Sequence, residues 1–297
     1  MTSSLHNSMR ARGIFVLKCW KPFCFLILAL AFANVRAYSQ SQPATLAPVT
    51  IPDPSSEALA RARASVERLF AHAADMVCTE SVNQTILDAQ GRMAYQEHSL
   101  FNYRLQANTG GKSLKFVESR EKVEAPFRDA SRTVLITDGF GNLLLILHPE
   151  YQASYTFQAE GEEIMAGVQT IKLSFKAVPG ASSPVMLQVR GQNYSVDLDG
   201  AVWIEPQSGN VVKLAAFSSS SLDELGVHSM SSEIEYRPAE LHNPEESYWM
   251  PASAVIDVET AHRHWRNIHH FTTYKRFQST APAEERASNL DSTESEK

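Results

Sequence analysis

About a dozen short strand-like segments, each closed by a turn signal, follow one amphipathic helix, and no other feature narrows the fold as much. The segments run over 77–88, 93–106, 113–123, 131–138, 153–162, 165–177, 185–190, 194–198, 200–206, 211–219, 229–237, 247–259 and 262–277. Phe101, Tyr103 and Leu105 share one side of their segment, as do Ile171, Leu173 and Phe175 of theirs. That is the period of two of a strand with one buried face. Turn chemistry separates the segments: Asn108-Thr109-Gly110-Gly111, Asp138-Gly139, Val178-Pro179-Gly180, Asp199-Gly200, Gln207-Ser208-Gly209-Asn210 and His242-Asn243-Pro244. Short connections without intervening helices exclude a regular βαβ layout and point to one antiparallel sheet. A sheet of that length curls, so the expected class is mainly β (α+β), an unclosed half-barrel with a concave face to fill.

The N-terminal helix is the expected filler. Asp53-Pro54 supplies a cap and a first-turn proline. Leu59, Ala62, Val66, Leu69, Phe70 and Ala73 then recur at helical spacing over 54–75, with Glu57, Arg61, Ser65, Arg68 and His72 on the other side. The run Gly141-Asn142-Leu143-Leu144-Leu145-Ile146-Leu147-His148-Pro149 reads as a buried strand or a short helix stopped by Pro149, and its leucine content favours helix.

Arg10, Arg12, Lys18 and Lys21 precede the apolar run Phe23–Ala33, and Val35-Arg36-Ala37 follows it. A basic stretch, a short apolar stretch and a small-residue exit make a secretory signal over 1–37, with cleavage expected near Ala37 or, alternatively, after Ala31-Phe32-Ala33. Lys18, Lys21 and Pro22 interrupt any apolar run long enough to span a bilayer, so no transmembrane segment is expected in the mature chain. Residues 38–52 read as a linker, 53–278 as one half-barrel domain, and 279–297, with five acidic and two basic residues, as a disordered acidic tail. Beyond residue 37 there are 22 basic against 33 acidic residues, which argues against nucleic acid as a partner.

The chemistry-bearing motifs mostly fail on inspection. Thr109-Gly110-Gly111-Lys112-Ser113 imitates a phosphate loop, but Gln106 stands where the first glycine belongs and the flanks read as strands, so it is a hairpin turn. Asp197 with Asp199, and Glu162 with Glu163, are paired carboxylates beside turns, where acids are ordinarily solvated. Cys78 stands alone in the mature chain and reads as a small apolar residue rather than a nucleophile or an intermolecular thiol. In Ala261-His262-Arg263-His264-Trp265-Arg266-Asn267-Ile268-His269-His270, a strand puts His262, His264 and His270 on one side and His269 on the other. His262 and His264 could ligate a metal with help from a neighbouring strand, but Arg263 and Arg266 oppose a cation, and the reading preferred is a polar strand face opposite Trp265 and Phe271. Asn83-Gln84-Thr85 and Asn193-Tyr194-Ser195 match the glycan acceptor pattern. No catalytic residue, metal site or cofactor is assigned, and no ligand-contacting residue is named.

Val202-Trp203-Ile204-Glu205-Pro206-Gln207-Ser208-Gly209-Asn210-Val211-Val212-Lys213-Leu214 reads as strand, turn, strand. It resembles a hairpin of the periplasmic lipoprotein-carrier and outer-membrane lipoprotein-sorting (LolA/LolB-like) superfamily. Tyr248-Trp249-Met250-Pro251 looks like that group's late strand and Tyr274-Lys275-Arg276-Phe277 like its closing strand. The resemblance covers residues 200–277 and implies an unclosed barrel around an apolar cavity covered by helices. The segment between 77 and 190 is longer than in a simple carrier. The expected protein is therefore exported and non-enzymatic, binding or carrying an apolar or acylated ligand, a lipid or the acyl chains of a lipoprotein. The alternative is an envelope scaffold with a packed barrel, recognising a protein partner through a sheet edge or the tail. A hydrolase using Asp197, Asp199 or the histidines ranks below both.

Overall fold

The computed structural model describes residues 53–72, 76–108, 114–124, 139–189, 192–220, 222–239 and 247–276. The expected leader, linker and acidic tail, the strand at 131–138 and the turns at 109–113 and 242–244 lie outside the described residues.

Helix α1 spans Pro54–His72 and buries Ala58, Ala62, Val66, Leu69 and Phe70. The Asp53 carbonyl accepts from Glu57 N at 3.1 Å and so opens the helical ladder. Among the described residues twelve strands follow: β1 (Met76–Asp88), β2 (Met93–Asn108), β3 (Lys115–Glu124), β4 (Tyr155–Met165), β5 (Val168–Ala177), β6 (Met186–Val189), β7 (Gln192–Ser195), β8 (Leu198–Ile204), β9 (Val211–Ser218), β10 (Ser229–Ala239), β11 (Tyr248–Glu259) and β12 (Arg263–Arg276). Between β3 and β4 lie helix α2 (Phe140–Leu144), a 3-10 turn over Leu145–Leu147 and another over Pro149–Ser154, as the leucine-rich run predicts.

Ten strands form one curved antiparallel sheet, not closed into a barrel, in the order β3-β2-β1-β12-β11-β10-β9-β8-β5-β4, with β6 and β7 as a separate hairpin. This order has a consequence for the interior. The chain builds outward from β1 to one edge at β3, and its next strand in the sheet, β4, is the opposite edge. The described part of the connection between them, residues 139–154, crosses the inner sheet face: Phe140, Leu143, Leu144, Leu145, Ile146 and Leu147 are all buried, in one cluster with α1 and the inward residues of the strands.

Two fixtures hold α1 on the same face. Arg61 Nη1 donates to the Pro206 carbonyl, and Gly209, at φ +75°, lies so close that a Cβ there would meet the Arg61 carbonyl carbon at 2.4 Å. The Ser208-Gly209 turn of the β8–β9 hairpin is thus the seat of the helix, and only glycine satisfies both its backbone angle and its clearance. In the middle of the sheet the β1–β12 register shifts between Val77 and Thr79, opposite the positive φ of Thr273. Cys78 sits at that irregularity, buried on β1, a free thiol that burial pushes up to about 12.

Candidate functional site

The inner face of β1, β2, β3 and β12 is not uniformly apolar. On β1 the inward positions run Met76, Cys78, Glu80, with Gln84 and Ile86 further on, so a carboxylate takes a place where period two calls for a hydrocarbon. Pairing brings it partners from strands distant in sequence. Arg120 on β3 reaches it with Nε and with Nη2, the latter at 2.9 Å from Oε1. His269 on β12 donates through Nδ1 to the same oxygen at 2.8 Å. Glu80 is 0% exposed and His269 2%.

Burial alone would raise the Glu80 carboxyl, but the bonds from His269 and Arg120 and the guanidinium charge outweigh it and hold the group below its ordinary range. His269 moves the other way: burial lowers its proton affinity further than Glu80 raises it. For Arg120 burial works against the charge and Glu80 more than restores it. The resting state is an ionised Glu80–Arg120 pair with a neutral imidazole bound alongside.

This cluster lies directly beneath the crossing segment. The Phe140 ring packs on His269 at 4.7 Å between centroids, and the Arg120 guanidinium stands 5.7 Å from the same ring and 5.1 Å from that of Tyr103. β3 anchors the segment through polar groups as well. Glu118 accepts from Gly139 N at 2.9 Å and Gly141 N at 3.0 Å, and Asn142 bonds both the Phe116 N–H (2.7 Å) and carbonyl (3.0 Å). Gly141 has little room to be anything else, since a Cβ would stand 2.9 Å from Leu105 Cδ1.

Between α1 and strands β9, β10 and β11 a crevice of about 20 Å³ remains, lined by Val66, Leu69, Leu144, Val211, Tyr236 and Tyr248. That is room for a water molecule and not for an acyl chain. A ligand cavity was expected, with a packed barrel as the alternative, and on the inner face the crossing segment shares with α1 the filling role expected of the helix alone.

The other residues singled out from sequence fall apart into separate environments. Asp199 accepts from Ala177 N at 3.1 Å, while at Asp197 the backbone carbonyl accepts from Ser219. Glu163 accepts from Trp203 Nε1 at 2.8 Å and Glu162 from Gln169 at 3.1 Å, so neither acid pair acts on a common point. The histidine run divides as strand alternation requires: His269 is inside, His264 and His270 face outward, and His262 lies in the turn before β12. Among the described residues no three His, Cys, Asp or Glu side chains are grouped to hold a metal ion, and no helix is long and apolar enough to cross a membrane. The buried Glu80–Arg120–His269 cluster was not foreseen. The signal for it was an acid at an inward position of a period-two strand.

No family model matches the chain, and no curated protein is similar to it in sequence. Solved structures similar to it include an outer membrane lipoprotein-sorting protein domain from Vibrio parahaemolyticus (9% identity, 80% of this chain and 99% of that one, TM-score 0.39). A DUF1329 family protein from Desulfovibrio piger (10% identity, 80% and 100%, TM-score 0.40) and a LolA superfamily protein from Nitrosomonas europaea (9% identity, 73% and 94%, TM-score 0.34) are also similar. All three likenesses have TM-scores of 0.40 or below, and none of them says what this chain binds.

Proposed function

We propose that this chain is an exported, non-enzymatic binding protein whose inner sheet face takes an apolar or acylated ligand in place of its own crossing segment. The observation that carries the reading is the occupancy of that face by six large apolar side chains, Phe140 and Leu143–Leu147, contributed by a connection and not by strands. The leader-like stretch up to Ala37 supports export.

The exchange is energetically close to balanced. Uncovering the six side chains costs about 9–18 kcal/mol at ~1.5–3 kcal/mol each, and a sixteen-carbon chain brought in from water returns roughly 13 kcal/mol at ~0.8 kcal/mol per CH₂. A chain already dissolved in a bilayer brings none of that gain, so the ligand would be one delivered from water or from another carrier. The test is native mass spectrometry of the protein expressed with its own leader and purified gently from an envelope fraction, before and after solvent extraction. A removable lipid-sized adduct, accompanied by faster amide exchange over 140–147, is the expected result.

The small crevice beside α1, about 20 Å³, favours the second reading, a packed-barrel scaffold for a protein partner. An adduct-free mass with a stoichiometric protein partner, and unchanged exchange over 140–147, would replace the carrier reading with that one.

A further inference from the structure

The histidines left outside the buried cluster are not scattered. The β1–β2 turn, the β11–β12 turn and the residues just before β10 meet at one end of the sheet around a cleft of about 320 Å³, lined among others by Asp88, His228, Glu259, His262, Arg263 and His264. The backbone holds it open. His228 N donates to the Glu259 carbonyl at 2.7 Å, Thr260 N to the Arg263 carbonyl at 2.9 Å, and Thr260 Oγ1 accepts from Arg263 N at 3.1 Å. Such a volume lies at the lower end of small-molecule sites, roughly 300–1,000 Å³.

The acids that line the cleft, Asp88 and Glu259, and those beside it, Asp223 and Asp257, are engaged, and two of the lining basic side chains are not. Asp88 is paired with Arg92 at 2.8 Å, Glu259 accepts from Ser229 at 3.0 Å, Asp257 holds His264 at 2.6 Å with Arg266 at 3.8 Å, and Asp223 pairs with His228. Among the described residues the exposed side chains of His262 and Arg263 have no hydrogen-bond or ion-pair partner. Among the lining side chains Arg263 stands against Asp88 and Glu259, so the charge of the lining is −1 with the three histidines neutral and +2 with all three protonated. Histidine changes charge between about pH 5 and 8, and a cleft concentrates the field of its lining.

We propose that this cleft is a binding site for a small oxyanion, of carboxylate, phosphate or sulfate chemistry, occupied on mild acidification and held by Arg263 and His262 with His228 and His264 supplying charge. The site is independent of the inner face and of any ligand bound there. A pH-insensitive anion is the right probe, so sulfate is titrated into the full chain at about pH 5.5 and about pH 8, with histidine ring resonances followed by NMR. Saturable shifts at His228, His262 and His264, at least ~10-fold tighter at the lower pH, are expected, with His98 and His270 as exposed controls. Arg263→Gln and His262→Gln should each weaken sulfate binding several-fold without moving the melting temperature, since both side chains are exposed. Phosphatidylglycerol vesicles that displace the sulfate would assign the site to a lipid headgroup, and vesicles that do not would assign it to a free ion. Unsaturable drift of all exposed histidines, or equal affinity at both pH values, would overturn the proposal.

Discussion

The start and the middle of β12 carry histidine–carboxylate pairs of nearly equal length and opposite character. At its start His264 Nε2 stands 2.6 Å from Asp257 Oδ1, with both side chains about a quarter exposed. Five residues on, His269 Nδ1 stands 2.8 Å from Glu80 Oε1, with both sealed from water and Arg120 closing the group. Distance alone therefore says little about what such a pair does. In water the pair exchanges one set of hydrogen bonds for another, and its net contribution is small. Under Phe140 no solvent replaces a lost partner, and every member depends on the others.

Replacing Glu80 should separate the two pairs most widely. Glu80→Gln leaves the Arg120 guanidinium without its counter-charge under the crossing segment, and should cost about 3–5 kcal/mol in urea unfolding. Asp257→Asn in the exposed pair should cost under about 1 kcal/mol. Equal losses would mean that the buried cluster is hydrated in solution. The paired replacement Glu80→Leu with Arg120→Met sharpens the point, because it removes both charges and fills the space. It should recover part of the single-variant loss, leaving about 1–3 kcal/mol for the buried His269 donor that then lacks an acceptor. If it does not, the cluster fixes the position of α2 in a way that packing cannot replace.

Sequence shows these two pairs unequally, for a physical reason. Most strand boundaries were legible because turns such as Gln207–Asn210 and the alternation in β2 and β5 are local properties, although Asp199-Gly200, read as a turn, lies inside β8. The helical run after Gly139 was legible from its leucines. Its path was not, since only the strand order puts β3 and β4 at opposite edges, with residues 139–154 crossing the inner face between them. Glu80 was read past because a polar residue in a strand ordinarily points outward. Its inward place depends on partners 40 and 189 positions away along the chain. The strand alternation did assign His264, His269 and His270 to the correct faces, though His262 lies in the turn before β12 and the acid that meets His269 went unseen.

Acidification should act on the inner pair first. Burial depresses the His269 proton affinity, so the unfolded chain takes up a proton near its ordinary value of about 6.5 while the folded chain does not. Stability is thus fully present above that value and falls, by at most about 1.4 kcal/mol per pH unit, until the folded imidazole also titrates. Glu80, held low by its partners, adds a second loss beginning near about pH 4.3. Melting temperatures of the parent and of His269→Gln, scanned across this range, should differ in slope chiefly over the upper window. Parallel curves would place the imidazole in contact with solvent.

The smallest effect belongs to His264→Gln. The imidazole there is 28% exposed and water can take over its bond to Asp257, while Arg266 remains 3.8 Å from the same oxygen to compensate the acid. The change in unfolding free energy should stay within about 0.5 kcal/mol. The same substitution at His269 removes a buried donor to Glu80 and an aromatic ring that Phe140 and Phe271 both contact, and should cost several times more. The ratio of the two losses, measured on one strand with one substitution, isolates burial from bond length as the variable that gives a histidine–carboxylate pair its weight. A ratio near one would remove the ground for treating the Glu80 cluster as the fastening of the crossing segment.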